Sequence, residues 1–282
     1  MVEKRPFLNF LAHAVLVLGV LIVAFPIYVA FIASTHGPTD FLSGLIPLTP
    51  GDNMVNTYGK MMTDGMASAG MPPLSLQMFN SLIMALTIAI GKIAISIISA
   101  YAIVYFRFPF RGLAFWLIFI TLMLPVEVRI LPTYHVVASL GMLDTYAGLT
   151  IPLIASATAT FLFRQVFLTI PDELMEAARI DGAGPLKFFW DILLPMSRNN
   201  IAALFVILFI YGWNQYLWPL LVTTDPSHYT IVMGIKRMAD VVDSQPQWNY
   251  IMATAILAML PPVLVVILMQ KLFVKGLIET EK

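Results

Sequence analysis

The run FLAHAVLVLGVLIVAFPIYVAFIAS, residues 10–34, decides the class of fold, because it contains no Asp, Glu, Lys or Arg. The hydrocarbon core of a bilayer is about 30 Å thick, and about 20 apolar residues cross it at a rise of about 1.5 Å each. Lys4 and Arg5 precede the run, which is longer than the core of a signal peptide and lacks a small-residue cleavage site. We therefore expect an uncleaved membrane helix here.

Five further apolar runs meet the same length requirement, and the composition supports this interpretation. Of the 282 residues, 59% are hydrophobic and 11% are charged, whereas a soluble domain carries about 25% charged residues. The sequence predicts an all-α integral membrane protein, with one transmembrane domain over residues 1–282 and six transmembrane helices. The predicted helices cover residues 10–34, 77–106, 112–137, 145–169, 199–222 and 250–274.

Basic residues decide the orientation, because Lys and Arg are enriched on the cytoplasmic side of a membrane protein. With the N-terminus inside, three basic residues lie outside: Lys60, Lys236 and Arg237. Both termini are then cytoplasmic, and the long outer segments are residues 36–76, with at most a short helix, and 223–249. Eleven basic residues lie on or near the cytoplasmic face: Lys4, Arg5, Arg107, Arg111, Arg164, Arg179, Lys187, Arg198, Lys271, Lys275 and Lys282.

Several classes of function are disfavoured. Lys plus Arg and Asp plus Glu both number 16, so no bulk charge favours nucleic acid as a partner. The sequence has no Cys and four widely spaced His, so we expect no metal site. A nucleotide-binding G-x-x-x-x-G-K-[ST] pattern is absent, since Gly91-Lys92 is followed by Ile93. No residue pattern favours covalent catalysis, so we expect a chain that is not an enzyme and binds no ATP.

The longest inner connection reads TIPDELMEAARIDGAGPLKFFWDILLPMSRN, residues 169–199. Thr169 can cap a helix, and Pro171 suits its first turn. Asp172 and Glu173 place negative charge beside the unpaired backbone amides of that turn. The helix is predicted to end at Gly182, because a residue after a helix commonly adopts the left-handed conformation that glycine accepts.

A second short helix is predicted after Gly184-Pro185, with apolar residues at helical spacing on one face. The residue pattern alone leaves two interpretations equally open. The segment is either a loop that packs against the inner ends of the membrane helices or a surface that meets a partner. The predicted apolar stripe consists of Leu186, Phe189, Trp190 and Leu193.

Three ionisable residues lie at predicted membrane depth, where charge is costly: Lys92, Glu127 and Arg129. Helix geometry puts Lys92 about 21 Å and Glu127 about 22 Å from the inner ends of their helices, so they share a level. Either Lys92 pairs with Glu127 and leaves Arg129 beside the pathway, or Glu127 and Arg129 neutralise each other. Both arrangements leave one positive charge, which suits a phosphate or carboxylate solute. Pro125 and Pro132 are expected to distort this helix.

The fifth predicted helix carries a second polar patch in YGWNQYLWPLL, residues 211–221. The amides of Asn214 and Gln215 can hold helices together or meet a hydroxylated solute. Three aromatic residues offer flat faces for a sugar, but aromatics near the outer end of a helix also form an interfacial belt, which we favour. They are Trp213, Tyr216 and Trp218.

The inner segment resembles the signature of permease subunits in ATP-binding-cassette importers. Glu176-Ala177-Ala178, Gly182 and Ile192-x-Leu194-Pro195 have the spacing of that signature and precede the penultimate helix. The resemblance implies that residues 171–195 are a coupling segment that docks on an ATPase subunit. Small alanines allow close approach and a carboxylate can pair with a basic group of the partner. The residues implied in coupling are Glu176, Ala177, Ala178, Gly182 and Pro195.

The whole chain is similar to the carbohydrate-uptake branch of these permeases. FNSLIMA at residues 79–85 and Trp-Asn-x-x-x-Trp-Pro at 213–219 carry the resemblance, although Gln215 stands where the branch commonly has an acidic residue. Residues 122–134, 145–165 and 210–221 resemble the permeases of sn-glycerol-3-phosphate importers. The implied fold is that of a type I importer permease (MetI-like).

The resemblance also implies the surroundings of the chain. The chain would lie in a bacterial inner membrane and form a heterodimer with a second permease subunit. Two ATPase subunits would hold ATP and Mg. An extracytoplasmic solute-binding protein would meet residues 223–249. The chain itself would bind no cofactor. Three alternatives stay open. The first is a permease for uncharged sugars in which the buried charges are structural, and the second is an ion-coupled carrier or channel in which Lys92, Glu127 and Arg129 form a relay. The third is a structural membrane subunit with no pathway of its own, against which the buried charges argue.

Overall fold

The computed structural model describes residues 6–41, 44, 46, 48–240 and 246–278, without the side chains of residues 6, 126, 127 and 273–278. Within these residues the regular structure is helical, apart from one isolated antiparallel bridge between Met66 and Met71. The α-helices are α1 (Pro6–Ser34), α2 (Met54–Thr63), α3 (Leu74–Tyr105), α4 (Arg111–Ile120), α5 (Val126–Ser139), α6 (Tyr146–Thr150), α7 (Ala157–Leu168), α8 (Asp172–Ile180), α9 (Pro185–Phe188), α10 (Leu194–Met196), α11 (Arg198–Trp213), α12 (Leu217–Val222), α13 (Ile231–Ala239) and α14 (Trp248–Ile278).

Three of these helices, α1, α3 and α14, are long and apolar enough to cross a membrane unaided. Three bent helix pairs bring the possible number of crossings to six. They are α4 with α5, α6 with α7 at a bend of 47°, and the helices of residues 185–196 with α11 at a bend of 71°. The chain is thus an all-α membrane protein, and six crossings fit its described helices.

The third predicted helix is broken at Pro125, one of the two prolines that were expected to distort it, and the fourth is broken where the sequence predicted a continuous span. Between α4 and α5, Leu124 is extended and Pro125 follows it, because the proline ring disfavours a helical conformation in the residue before it. Between α6 and α7, Pro152 lies in a short 3₁₀ turn. Ser156 then restarts the helix by accepting a 3.2 Å hydrogen bond from the Ala159 amide.

The fifth predicted helix is also broken, since α11 ends at Trp213 and α12 begins at Leu217. The 16 residues of α11 are about 24 Å long, which is less than the hydrocarbon core of a bilayer. Asn214, Gln215 and Tyr216 therefore lie at an interruption and not inside a regular helix.

The chain forms two compact units, of which the first comprises Met1–Leu76 and Gly234–Leu260. It includes α2, the short helix that the sequence allowed, whose Thr57 and Met61 are buried. The Asn53 amide donates to the Thr35 carbonyl at 2.9 Å. The first outer segment is thus fastened to the end of α1.

The second unit comprises Gln77–Met233 and Pro261–Lys282. The indole nitrogen of Trp218 donates to the Gly148 carbonyl at 3.1 Å, which ties α12 to α6. A Cβ at Gly212 would lie 2.9 Å from the Cα of Ala85, so α11 and α3 are in backbone contact there. The core of this unit contains Met84, Ile88, Val137, Leu149, Trp218 and Val222.

Candidate functional site

A cavity of about 130 Å³ lies where α3, α5 and the break between α11 and α12 meet. It has room for several water molecules. Its polar lining includes Lys92 of α3, Arg129 of α5 and Gln215 of the break. These three candidates, which the sequence places on different helices, therefore line one cavity. The other described lining residues are Ile130, Thr133, Pro152, Leu153, Ala155, Tyr211, Leu217 and Trp218.

Lys92 is the most buried charge of this cavity, with 7% of its surface exposed. Its ammonium group lies over the ring of Tyr211, 3.8 Å from the ring centroid. A cation in this position is attracted by the negative face of the ring. Tyr211 therefore orients the ammonium group, a role that no sequence motif indicated.

Arg129 supplies the second cation, and the described lining contains no carboxylate. Lys92 and Arg129 line the same cavity, so that its described lining carries two positive charges. The side chain of Glu127 lies outside the described residues. Both arrangements that the sequence left open, Lys92 with Glu127 and Glu127 with Arg129, therefore stay predictions.

The polar patch of the fifth predicted helix divides at the break. Gln215 lines the cavity and its amide nitrogen donates to the Tyr211 carbonyl at 3.1 Å, whereas Asn214 is exposed and is not among the lining residues. The belt prediction is wrong for Trp213 and Trp218, which are 2% and 3% exposed. Trp218 packs in the core of the second unit because the break turns α12 onto α5 and α6. Trp213 lies before the break, at the end of α11, where its ring stacks on that of Phe209 with 6.0 Å between the centroids.

The inner segment begins with α8, which ends close to the predicted position. Gly182 has φ of 74°, the left-handed conformation that the sequence predicts. Its amide donates to the Arg179 carbonyl at 3.0 Å, and the Ala183 amide donates to the Ala178 carbonyl at 2.8 Å. This pair of bonds is the Schellman motif, which satisfies the last carbonyls of a helix. The turn depends on a residue that tolerates positive φ.

The coupling candidates differ in exposure. Glu176, Ala177, Gly182 and Pro195 are exposed, whereas Ala178 is buried within the chain. Exposed residues can meet a partner directly. Ala178 can contribute to docking only by positioning α8, and not by contacting the ATPase directly as the resemblance implied.

The predicted apolar stripe of the second inner helix is split between two faces. Phe189 and Leu193 are buried together with Phe188, whereas Leu186 and Trp190 are exposed. The reason is a π-helical turn at Phe189–Leu193, whose wider turn changes the angle between successive side chains. Ile180 at the end of α8 is also exposed, at 86%. The segment therefore presents apolar side chains outward as well as inward.

Aromatic residues fasten the inner segment to the end of α3. The hydroxyl of Tyr101 donates to the Pro185 carbonyl at 2.8 Å, and its ring centroid lies 5.1 Å from that of Phe189. The ring of Tyr105 lies 5.3 Å from that of Phe188. Lys92 lies on the same helix, about 14 Å along its axis from Tyr101. One rigid element thus joins the inner segment to the cavity.

The FNSLIMA motif has a structural role that the sequence did not reveal. Asn80 is fully buried, and its amide nitrogen donates to the carbonyls of Ser227 and Tyr229 at 2.8 and 3.0 Å. The Ser81 hydroxyl accepts from the Ile231 amide at 2.8 Å. These two residues hold the start of the second outer segment against α3.

Asp144 forms a second attachment of the same segment. Its carboxylate accepts from the amides of Thr224 and Asp225 and from the Thr224 hydroxyl, at 2.5 to 2.8 Å. These bonds, the one from the Asp225 amide foremost, hold the pKa of Asp144 below its ordinary value. Asp144 has φ of 53°, which Asp tolerates better than most residues. Among the described residues no group of three His, Cys, Asp or Glu could hold a metal ion.

The chain matches a known protein family and is similar in sequence to transport permeases. The model of the family "Binding-protein-dependent transport system inner membrane component" matches residues 92–279. The sn-glycerol-3-phosphate transport system permease proteins of Agrobacterium fabrum and Brucella melitensis biotype 1 are 63% and 61% identical over 282 residues, which is 100% of each chain.

A solved structure supports the fold. It is that of a bacterial ABC transporter involved in the import of the acidic polysaccharide alginate, with a TM-score of 0.81 and 19% identity. The match covers 96% of this chain and 98% of the other. The chain therefore shares its fold with that solved structure.

Proposed function

Because the chain belongs to the family of inner membrane components of binding-protein-dependent transport systems, we propose that it is the permease subunit of an ATP-driven importer for sn-glycerol-3-phosphate. The observation that carries this proposal is 63% identity over the full length of a permease of that transport system. Related glycerophosphodiesters belong to the same solute class. The chain is a multi-pass protein of the inner membrane and not an enzyme.

The proposed importer contains a second permease, with which the chain forms a heterodimer around the membrane pathway. Two ATPase subunits hold ATP and Mg and hydrolyse the nucleotide, and an extracytoplasmic protein delivers the solute. Both termini of this chain face the cytoplasm. The outer segment that Asn80, Ser81 and Asp144 hold in place is the proposed contact for the solute-binding protein.

Residues 171–195 are the proposed coupling segment. The exposed carboxylate of Glu176 is available to pair with a basic group of the ATPase, and exposed Ala177 allows close approach. Ile180, Leu186 and Trp190 supply apolar area that this chain leaves uncovered. Force received here passes to α3 through the contacts of Tyr101 and Tyr105 with the inner segment.

The cavity of Lys92 and Arg129 is the proposed place of solute choice. A phosphate monoester carries close to two negative charges at neutral pH, and two cations without a described carboxylate match that charge. The guanidinium of Arg129 can donate two parallel hydrogen bonds to phosphate oxygens. The amide of Gln215 and the hydroxyl of Thr133 are available for the hydroxyls of the glycerol part.

Uptake of radiolabelled sn-glycerol-3-phosphate by cells that lack this chain tests the proposal. Complementation with the chain should restore uptake, and maltose uptake in the same cells is the control for an uncharged sugar. Equal uptake of sn-glycerol-3-phosphate with and without the chain would exclude the solute assignment. Restoration of maltose uptake alone would instead favour the uncharged-sugar permease.

A further inference from the structure

A second cleft of about 420 Å³ lies away from the Lys92 cavity, between the end of α3, the start of α4 and α7. Two arginines line it, Arg111 as the first residue of α4 and Arg164 four residues before the end of α7. Neither forms an ion pair in the part of the chain that the structure describes. The cleft therefore carries two positive charges that no described carboxylate neutralises.

The orientation of Arg164 is fixed by an aromatic cluster. Its guanidinium lies over the ring of Phe115, 4.4 Å from the centroid, and Phe115 packs on Phe161 with 6.5 Å between ring centroids. Stacking of this kind occupies one face of a guanidinium and leaves the N–H groups at its edge free to donate. A preoriented arginine fork matches the oxygen geometry of a phosphate.

The position of the two arginines matches a membrane surface. Arg111 follows the inner connection of residues 106–110, and Arg164 lies about 6 Å along α7 from the end of that helix. Both lie on the inner side in the orientation that the basic residues predict. Phosphate head groups of the inner leaflet lie at this level, and that leaflet carries negative charge that attracts basic residues.

The rim of the cleft is apolar and exposed. Trp116 and Leu168 line the cleft and have more than half of their surfaces exposed. Phe110 and Leu113, next in sequence to the lining residues at the start of α4, are also more than half exposed. Trp116 combines an apolar ring with an N–H group, which suits the boundary between head groups and acyl chains. Acyl chains that leave a head group held in the cleft would lie against these side chains.

We propose that this cleft binds one anionic phospholipid of the inner leaflet, with the lipid phosphate between Arg111 and Arg164 and the acyl chains along the exposed face of α4. The positive charge of the cleft, its position at the inner membrane surface and its apolar rim each fit such a lipid. A free phosphate would leave the apolar rim uncovered, and a zwitterionic lipid would bring an ammonium group of its own beside the two arginines.

The test uses the whole importer, purified with its partner subunits and placed in nanodiscs of phosphatidylcholine with increasing phosphatidylglycerol. Native mass spectrometry counts the phosphatidylglycerol molecules that stay bound, and the dependence on lipid fraction gives the affinity. The variants are Arg111→Gln, Arg164→Gln and their combination. Arg198→Gln is the matched control, because Arg198 lies on the same inner side but does not line the cleft.

Each arginine that faces the lipid head group in the cleft should contribute about fivefold in affinity, so the double variant should bind phosphatidylglycerol about 25-fold more weakly. Arg198→Gln should bind it as the wild type does. Arg164→Lys keeps the charge without the fork and should fall between the wild type and Arg164→Gln, which keeps the test decisive if the double variant does not assemble. Unchanged affinity in the double variant would overturn the proposal. Loss of the second permease at unchanged lipid affinity would also overturn it and would assign the face to a subunit contact.

Discussion

Gly182 offers the sharpest test of the proposed coupling segment, because a second glycine two residues later is its control. Gly182 has φ of 74° and Gly184 has φ of −70°, and a Cβ would meet nothing within 4 Å at either position. An alanine therefore causes no collision at either site. The two substitutions differ only in the backbone conformation that alanine must adopt.

The left-handed conformation costs a residue with a Cβ about 1–2 kcal/mol. Gly182→Ala should raise the free energy of the turn by this amount, which increases the open population of the turn about 5- to 30-fold. Gly184→Ala places alanine where its φ is ordinary and should leave the turn unchanged or stabilise it by about 0.4–1 kcal/mol. The Schellman bond from the Ala183 amide to the Ala178 carbonyl reports on the difference.

Hydrogen exchange of residues 178–186 in the purified importer measures this opening. Exchange at Ala183 should accelerate about 5- to 30-fold in Gly182→Ala. The amount of solute imported per ATP hydrolysed should fall in the same variant and stay within twofold of wild type in Gly184→Ala. Equal exchange and equal coupling in both variants would refute the role of the left-handed turn.

Three further predictions concern packing, the outer segment and the cavity. Gly212→Ala places a Cβ 2.9 Å from the α3 backbone and should destabilise the importer by about 1–3 kcal/mol in thermal unfolding, whereas Gly19→Ala, with nothing within 4 Å, should be nearly neutral. The pKa of Asp144 is lowered in the folded chain, so its stabilisation of residues 223–230 is complete above the unfolded pKa of about 3.9 and is lost as pH falls through the folded pKa. Proteolysis within residues 223–230 should therefore accelerate as the pH falls through this range. Asp144→Asn should remove this pH dependence. Lys92→Gln and Arg129→Gln should each lower sn-glycerol-3-phosphate uptake at least tenfold, since a hydrogen bond to a charged group is worth about 1.5–3 kcal/mol, and unchanged uptake in both would return these residues to a structural role.

The features that the sequence predicted well depend on local chemistry. Uncharged runs of about 20 apolar residues indicate membrane helices, because a helix of that length crosses the hydrocarbon core of a bilayer and satisfies its own backbone hydrogen bonds there. The left-handed turn at Gly182 was predictable because it depends only on the residues next to it: a helix that begins with acidic residues and a glycine directly after its end. The family resemblance of residues 176–195 is likewise a local pattern.

The features that the sequence missed depend on tertiary contacts. Lys92 pairs with the ring of Tyr211, which is more than 100 positions away, and no periodicity predicts such a contact. Trp213 and Trp218 are at the spacing of an interfacial belt but are buried. The break at residues 214–216 redirects α12 and with it Trp218, whereas Trp213 stacks on Phe209 within α11. A mid-helix Asn-Gln pair next to aromatic residues does not by itself indicate a break, whereas prolines at 125 and 152 did offer a signal.

The central claim is that this chain carries solute only when a separate ATPase drives it through residues 171–195. Uptake of sn-glycerol-3-phosphate into proteoliposomes that contain the complete importer, with ATP inside and the solute-binding protein outside, tests it most directly. Accumulation should require ATP, and Glu176→Lys should abolish it while ATP hydrolysis continues and the chain stays inserted. Accumulation by this chain alone without nucleotide, or full coupling in Glu176→Lys, would contradict the claim.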